Sequence, residues 1–361
     1  MMDFVEWSIS VQIQIIYLAI CISVPSMALY IAQIVTIVRH KKFHNSFYAL
    51  FVMRAIPDLL YVFSSFYGYR LPAIIGAVLY PIYSKFPNWM LAMYFFFTGH
   101  IFQANNLVTA FILLNRLTAI IMPIKHEKIW HNFLTFITIF VYCAPIFLCW
   151  PMFKMNAMLI LNYPNSTTDS SFYVFEAGDT PYIKYTIYVC TVFSVIFMII
   201  CVLLNICTFV AYKLHVKNVG TNGNNAHNIE RKLLFYALAT FLGHALVASL
   251  FLVNETTNSL TLQIPIITNI GDTKTNKMLH IYFPLIMDTG TVVLSSWLLL
   301  WASSTFRQQL IKDFAIIRKT NIQNNRVGPM EGPWNNNHRA VGGSFCHRYI
   351  SSSVQQLPTI S

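Results

Sequence analysis

Charge is scarce in this sequence. Acidic and basic residues together make up 10% of 361 positions, against about 25% in an ordinary soluble domain. A water-soluble chain of this length would need a charged surface to cover its core, and there is too little charge to supply one. No CxxC, GxSxG or glycine-rich phosphate loop occurs, so neither an enzyme nor a cofactor is expected. The seven cysteines give no disulfide framework, since six lie inside apolar runs and Cys346 lies near the C-terminus. The N-terminus carries Asp3 and Glu6 and no basic residue. It therefore lacks the basic n-region of a cleaved leader, and the first apolar run reads as an uncleaved span. The net charge of +11 does not point to nucleic acid, because its lysines and arginines are scattered between apolar runs rather than gathered on one face.

What is abundant is hydrocarbon. Apolar residues reach 56%, and about 20 of them in a helix cross a hydrocarbon layer of about 30 Å. Spans are expected at about 11–38, 47–68, 89–115, 131–153, 184–211, 233–254 and 279–301. The fold class is therefore an all-α membrane protein, a bundle of seven transmembrane helices. Pro25, Pro57, Pro145 and Pro284 fall inside these runs, which membrane helices tolerate when neighbours satisfy the freed carbonyls. Trp89, Trp130, Trp150, Trp297 and Trp301 stand near span ends, at the headgroup level that such rings favour.

Basic residues set the expected orientation. The connections 39–46, 116–130 and 212–232 and the segment from 302 carry 17 lysines and arginines, and the alternate connections carry 6. By the positive-inside rule the N-terminus (1–10) is outside and the C-terminal segment is in the cytoplasm. Sequons at Asn165 and Asn254 both fall on the expected outer side as candidate glycosylation sites. After the last span, Phe306, Leu310, Phe314 and Ile317 recur at helical spacing among Arg307, Lys312, Arg318 and Lys319. Residues 302–319 thus read as a short C-terminal amphipathic helix lying at the interface against membrane lipid. Residues 320–361 are rich in Asn, Gly, Ser and Gln and read as a disordered cytoplasmic tail.

Ionisable residues within spans are costly, at roughly 2.5–3.5 kcal/mol each, and need partners. Arg54 and Asp58 stand four apart on one face of the second span, and Asp288 sits on the seventh. The expected arrangement is one buried cluster with Arg54 neutralised by Asp58 and by Asp288, either a switch or a structural ion pair. His100 and His244 each follow a glycine, and Tyr94, Phe95, Phe96 and Phe97 crowd the outer half of the third span. With His280 these residues are candidate lining for a ligand pocket, the alternative being ordinary packing. Asn105 and Asn106 extend the polar character of the third span. Two isolated histidines give no metal-ligand spacing. His126-Glu127-Lys128-Ile129-Trp130 begins like a zinc-protease motif, but Trp130 stands where the second histidine is required.

The third span ends in Leu114-Asn115-Arg116-Leu117-Thr118-Ala119, followed by Pro123-Ile124-Lys125-His126-Glu127-Lys128-Ile129-Trp130. This run resembles the nematode serpentine chemoreceptors, most closely the class gamma group, with the sister class V group next. Ser46-Phe47-Tyr48 with Phe51, and Trp297 with Ser303-Ser304 and Arg307, support the resemblance over about residues 10–315. It implies a G-protein-coupled, seven-span receptor for a small-molecule ligand, a heterotrimeric G protein as partner, and a place in the plasma membrane of sensory cilia. Arg116 matches the arginine of the Asp-Arg-Tyr motif of rhodopsin-like receptors, with Asn115 replacing the acid, so these two residues are the candidate coupling switch. An alternative for Arg116 is a plain positive-inside anchor. Competing functions are a ligand-gated channel of the seven-helix odorant-receptor kind, which would place the N-terminus inside, and a secondary transporter, which the absence of an internal repeat disfavours.

Overall fold

In the computed structural model the described residues are 11–161, 171–177, 181–219, scattered helical positions between 235 and 249, residue 282, and 285–324. The chain divides into two compact units, Met1–Phe314 and Ala315–Ser361, and the bundle belongs to the first. Six helical runs among the described residues are long and apolar enough to cross a membrane. Helix α1 spans Gln12–Arg39. Helix α2 (Ser46–Ser65) passes through a wide π-helical turn, Phe66–Arg70, into α3 (Leu71–Tyr83), so one helical path runs from Ser46 to Tyr83. Helices α4 (Asn88–Ile121), α5 (Pro123–Cys149) and α6 (Pro181–Val219) follow. A second π turn, Thr289–Val293, leads into α7 (Leu294–Ala302), and Ser303 breaks the path before α8, Ser304–Asn324.

Helix α4 is the axis of the bundle, packing against α2, α5 and α6. The outer faces of α5 and α6 carry rows of exposed apolar residues such as Phe136, Phe140, Ile199 and Leu203, as expected of surfaces solvated by lipid rather than water. Two ends can be distinguished. The basic end carries Arg39, Lys41, Lys42, Lys125, Lys128 and Lys312. The opposite end carries an antiparallel hairpin, β1 (Asn156–Leu161) and β2 (Phe172–Ala177), which was not expected in the connection between the fourth and fifth spans. Phe172 of the hairpin is fully buried, edge-on to Tyr80 and Tyr83. The Asn88 side chain fixes its root by donating to Met155 C=O (2.8 Å) and accepting from Ala157 N–H (2.8 Å).

Proline positions are compensated locally. Pro57 has no N–H to give to Met53 C=O, the i−4 carbonyl. The Tyr142 hydroxyl on α5 donates to that carbonyl at 2.7 Å instead. Pro25 and Pro145 also lie inside helices, and Pro284 is outside the described residues. Helix α8 begins where the Ser303 hydroxyl accepts from Phe306 N–H at 3.2 Å, an N-cap. Phe306 and Leu310 of α8 are buried, Phe306 against Phe43 and Tyr48, while Arg307, Ile311, Lys312 and Phe314 are exposed. At Ile317 and beyond the helix continues without described side chains, and residues from 325 onward are outside the described residues.

Candidate functional site

Among the described residues, polar side chains of the bundle form two buried ion pairs and a latch at the basic end. The first pair lies on one helix, with Arg54 Nε 3.5 Å from Asp58 Oδ2 and both side chains fully buried. The other helices converge on the same carboxylate: Tyr30 of α1 donates to Oδ2 at 3.0 Å and Asn105 of α4 donates to Oδ1 at 2.8 Å. Asp58 thus ties three helices to one anion. Such a carboxylate is tolerated in a low-dielectric interior because several donors and a cation face it.

Asp288 does not join this cluster. Its partner is Arg70, whose second guanidinium nitrogen Nη1 donates to Ser23 of α1 at 3.3 Å. Arg70, read from the sequence as part of an outer loop, is fully buried. The reason is geometric. Arg70 lies 24 residues along the helical path from Ser46, about 36 Å from the basic end at 1.5 Å per residue. Helical side chains lean toward their own N-terminus, so Arg70 leans back into the bundle. Asp288, about 21 Å from Ala302 on a helix running the other way, leans up to meet it. Each partner adjoins a π turn: Arg70 closes one and Asp288 precedes the other. Turns of this kind are frequent at functional sites.

Of the candidate ligand-pocket residues, Tyr94, Phe97 and His100 are described. Phe97 is 37% exposed and meets the Phe96 ring edge-on. Tyr94 lies so close to Gly68 that a Cβ there would stand 2.3 Å from its ring. His100 stacks on Phe96 and engages the Tyr142 carbonyl through Nε2 at 3.0 Å, a link between α4 and α5. Gly99, beside His100, gives room for Met152, whose Sδ would be 2.7 Å from an added Cβ. Gly243 admits Leu294 and the Gly290 backbone in the same way. His244, His280, Asn165 and Asn254 are outside the described residues.

At the basic end the signature segments of α4 and α5 fold onto the start of α2. Asn115 donates to Ser46 Oγ at 2.9 Å, and Ser46 donates through its hydroxyl (3.0 Å) and its N–H (3.2 Å) to Glu127. That carboxylate and the Asn45 side chain, which accepts from Tyr48 N–H, satisfy first-turn donors of α2. Both ring nitrogens of His126 are engaged, Nε2 with Ser46 Oγ (3.2 Å) and Nδ1 with Thr118 Oγ1 (3.1 Å). Thr118 also accepts from the Trp130 indole N–H at 2.9 Å. The Arg116 guanidinium sits 3.7 Å from the centre of the buried Phe47 ring, a cation–π contact. Arg116 is therefore engaged with the bundle rather than only with the membrane surface. Trp130, Thr118 and Glu127 were not singled out from the sequence as site residues, although the motif that contains them was.

This latch is built from the very residues that carry the resemblance noted in the sequence, and the match to known proteins extends well beyond it. Residues 12–310 match the Srg family chemoreceptor pattern. The chain belongs to the Srg chemoreceptor family. Its fold is the seven-span helical bundle of that family, with six spans among the described residues. Similar proteins, all from Caenorhabditis elegans, include serpentine receptor class gamma-16, 30% identical over 37% of this chain and 42% of that protein. Class gamma-5 is 24% identical over 59% of this chain and 64% of its own length, and class gamma-8 is 24% identical over 57% and 62%. The chain thus spans less than two thirds of the length of each of these relatives.

Proposed function

We propose that this Srg-family protein is a chemosensory receptor of the plasma membrane that binds a small molecule outside or within the bilayer and signals through a heterotrimeric G protein. The observation that carries this reading is the latch of Ser46, Asn115, Thr118, His126, Glu127 and Trp130, with Arg116 held over Phe47. It joins the starts and ends of three spans at one end of the bundle, where a change in helix packing would alter the surface offered to a partner. That surface combines basic side chains with an apolar knob: Ile124 is 96% exposed, next to Lys125. The excess of basic residues on this side supports an N-terminus outside the cell, with the knob facing the cytoplasm. By family resemblance the protein belongs in sensory cilia.

The element biased by ligand is the Arg70–Asp288 pair between its two π turns, which links α1, the α2–α3 path and the seventh span. A ligand shifts the equilibrium only as far as its affinity for the two arrangements differs. Two measurements test the proposal. An epitope on the N-terminus should be labelled on intact cells. Arg116→Ala should abolish ligand-evoked G-protein activation while surface delivery is retained; full signalling by that variant would remove Arg116 from the mechanism.

A further inference from the structure

A crevice of about 260 Å³ opens between α4, α5 and α6. Leu107, Ala110 and Leu114 of α4 form its floor, with Phe140 of α5 and Ile200 and Leu204 of α6 at its sides. The Phe111 ring meets Phe140 edge-on at 6.4 Å and closes the wall between α4 and α5. Every lining side chain is hydrocarbon, so nothing in the crevice can orient a polar ligand. Its volume also falls below the roughly 300–1,000 Å³ of drug-sized ligand sites.

Depth identifies what the crevice faces. Leu114 and Leu107 lie seven and fourteen residues before Ile121, at the basic end of α4, hence about 10 and 21 Å from it. Both fall inside a hydrocarbon layer of about 30 Å. The rim is open to that layer, with Phe140 42% and Ile200 39% exposed. Apolar cavities hold no water, and the only molecules with access at this depth are lipid chains. We propose that the crevice is a lipid site that seats one acyl chain of a bilayer phospholipid. The chain packs against α4, α5 and α6 together, directly beyond Asn115 and Arg116, and so braces the helix that carries the latch. The site is separate from the ligand and G-protein reading above and does not depend on it.

The test uses the full-length protein reconstituted in nanodiscs of phosphatidylcholine with a photoreactive diazirine at mid-chain. After irradiation, adducts are mapped by mass spectrometry. Lining residues on α4 and α6 should be labelled several-fold more than Leu203 and Ile206, which face outward from α6 at similar depth. Ala110→Trp, which fills the floor, should cut crevice labelling several-fold, and Ile200→Trp at the exposed rim should do the same should the first variant fail to fold. Leu203→Trp should leave it unchanged. Equal labelling of the crevice and the outward face, or labelling that survives a folded filling variant, would overturn the proposal.

Discussion

Arg70 and Asp288 pair across the bundle interior from helices of opposite direction, with a π turn beside each. Removing one member of a buried pair leaves the other charge uncompensated, at a cost of about 3–5 kcal/mol, whereas replacing both by apolar residues is often near neutral. Asp288→Leu should therefore lower the melting temperature of the purified protein sharply, and Arg70→Met with Asp288→Leu should recover most of the loss. A double-mutant cycle pairing Arg54 with Asp288 should be additive within about 0.5 kcal/mol, as for separated sites. Strong coupling in that second cycle would return Asp288 to the Arg54 cluster.

The Tyr142 hydroxyl exists in this bundle to serve a carbonyl that proline leaves without a partner. Tyr142→Phe orphans Met53 C=O and should cost about 1–3 kcal/mol. Pro57→Ala restores the missing N–H, so the same tyrosine change made in that background should cost much less. Thermal melting of the four proteins reads this directly, and equal penalties in both backgrounds would show that the hydroxyl has another role.

The helical class of the bundle, the Arg54–Asp58 contact and the composition of the signature motif were legible because each is local: runs of apolar residues, an i,i+4 spacing, a contiguous string. The partner of Asp288 was not. The apolar run of the second span breaks at Tyr67-Gly68-Tyr69-Arg70, and a polar break in a hydropathy pattern reads as the end of a helix. The helix in fact continues through a π turn to Tyr83, and the register shift of that turn is invisible in sequence. The surroundings of the aromatic run on the third span were not legible for a related reason. Phe95, Phe96 and Phe97 are consecutive, so a helix must turn them to different sides, and which one is buried depends on neighbours such as Met152 and Phe153 that are distant in sequence. Asn115 and Arg116 were found together, but only the structure separates their directions, toward Ser46 and toward Phe47.

Helix α8 is held to the end of α1 by Asp313, which accepts from Gln309 and Thr36 and meets His40 at 3.0 Å. Burial raises the pKa of Asp313, but the hydrogen bonds from Gln309, His40 and Thr36 and the His40 charge outweigh it and hold the carboxyl below its ordinary value. A depressed carboxylate contributes its full stability above the unfolded-state pKa of about 3.9 and loses it as pH falls through the folded-state value. The melting-temperature gap between wild type and Asp313→Asn should therefore be widest above that range and close as pH is lowered toward 3. A gap unchanged across that interval would mean that the charge of Asp313 plays no part in docking α8.

Asn115 stands where rhodopsin-like receptors carry an acid, and restoring the acid here should damage the protein. The Asn115 side chain is buried, donating to Ser46 Oγ beside His126 and within the reach of Glu127 through that same hydroxyl. An aspartate would lose the donor and bring a second carboxylate to a hydroxyl already given to Glu127. An unsatisfied buried group costs about 1–3 kcal/mol, and more when it is charged. Asn115→Asp should thus lower the melting temperature more than the near-isosteric change would suggest, and Glu127→Gln in the same chain should relieve part of that loss by removing the competing anion. If Asn115→Asp instead stabilised the protein, the aspartate would have turned to pair with Arg116, and the latch would be a weaker constraint than the rhodopsin-like ion pair it replaces.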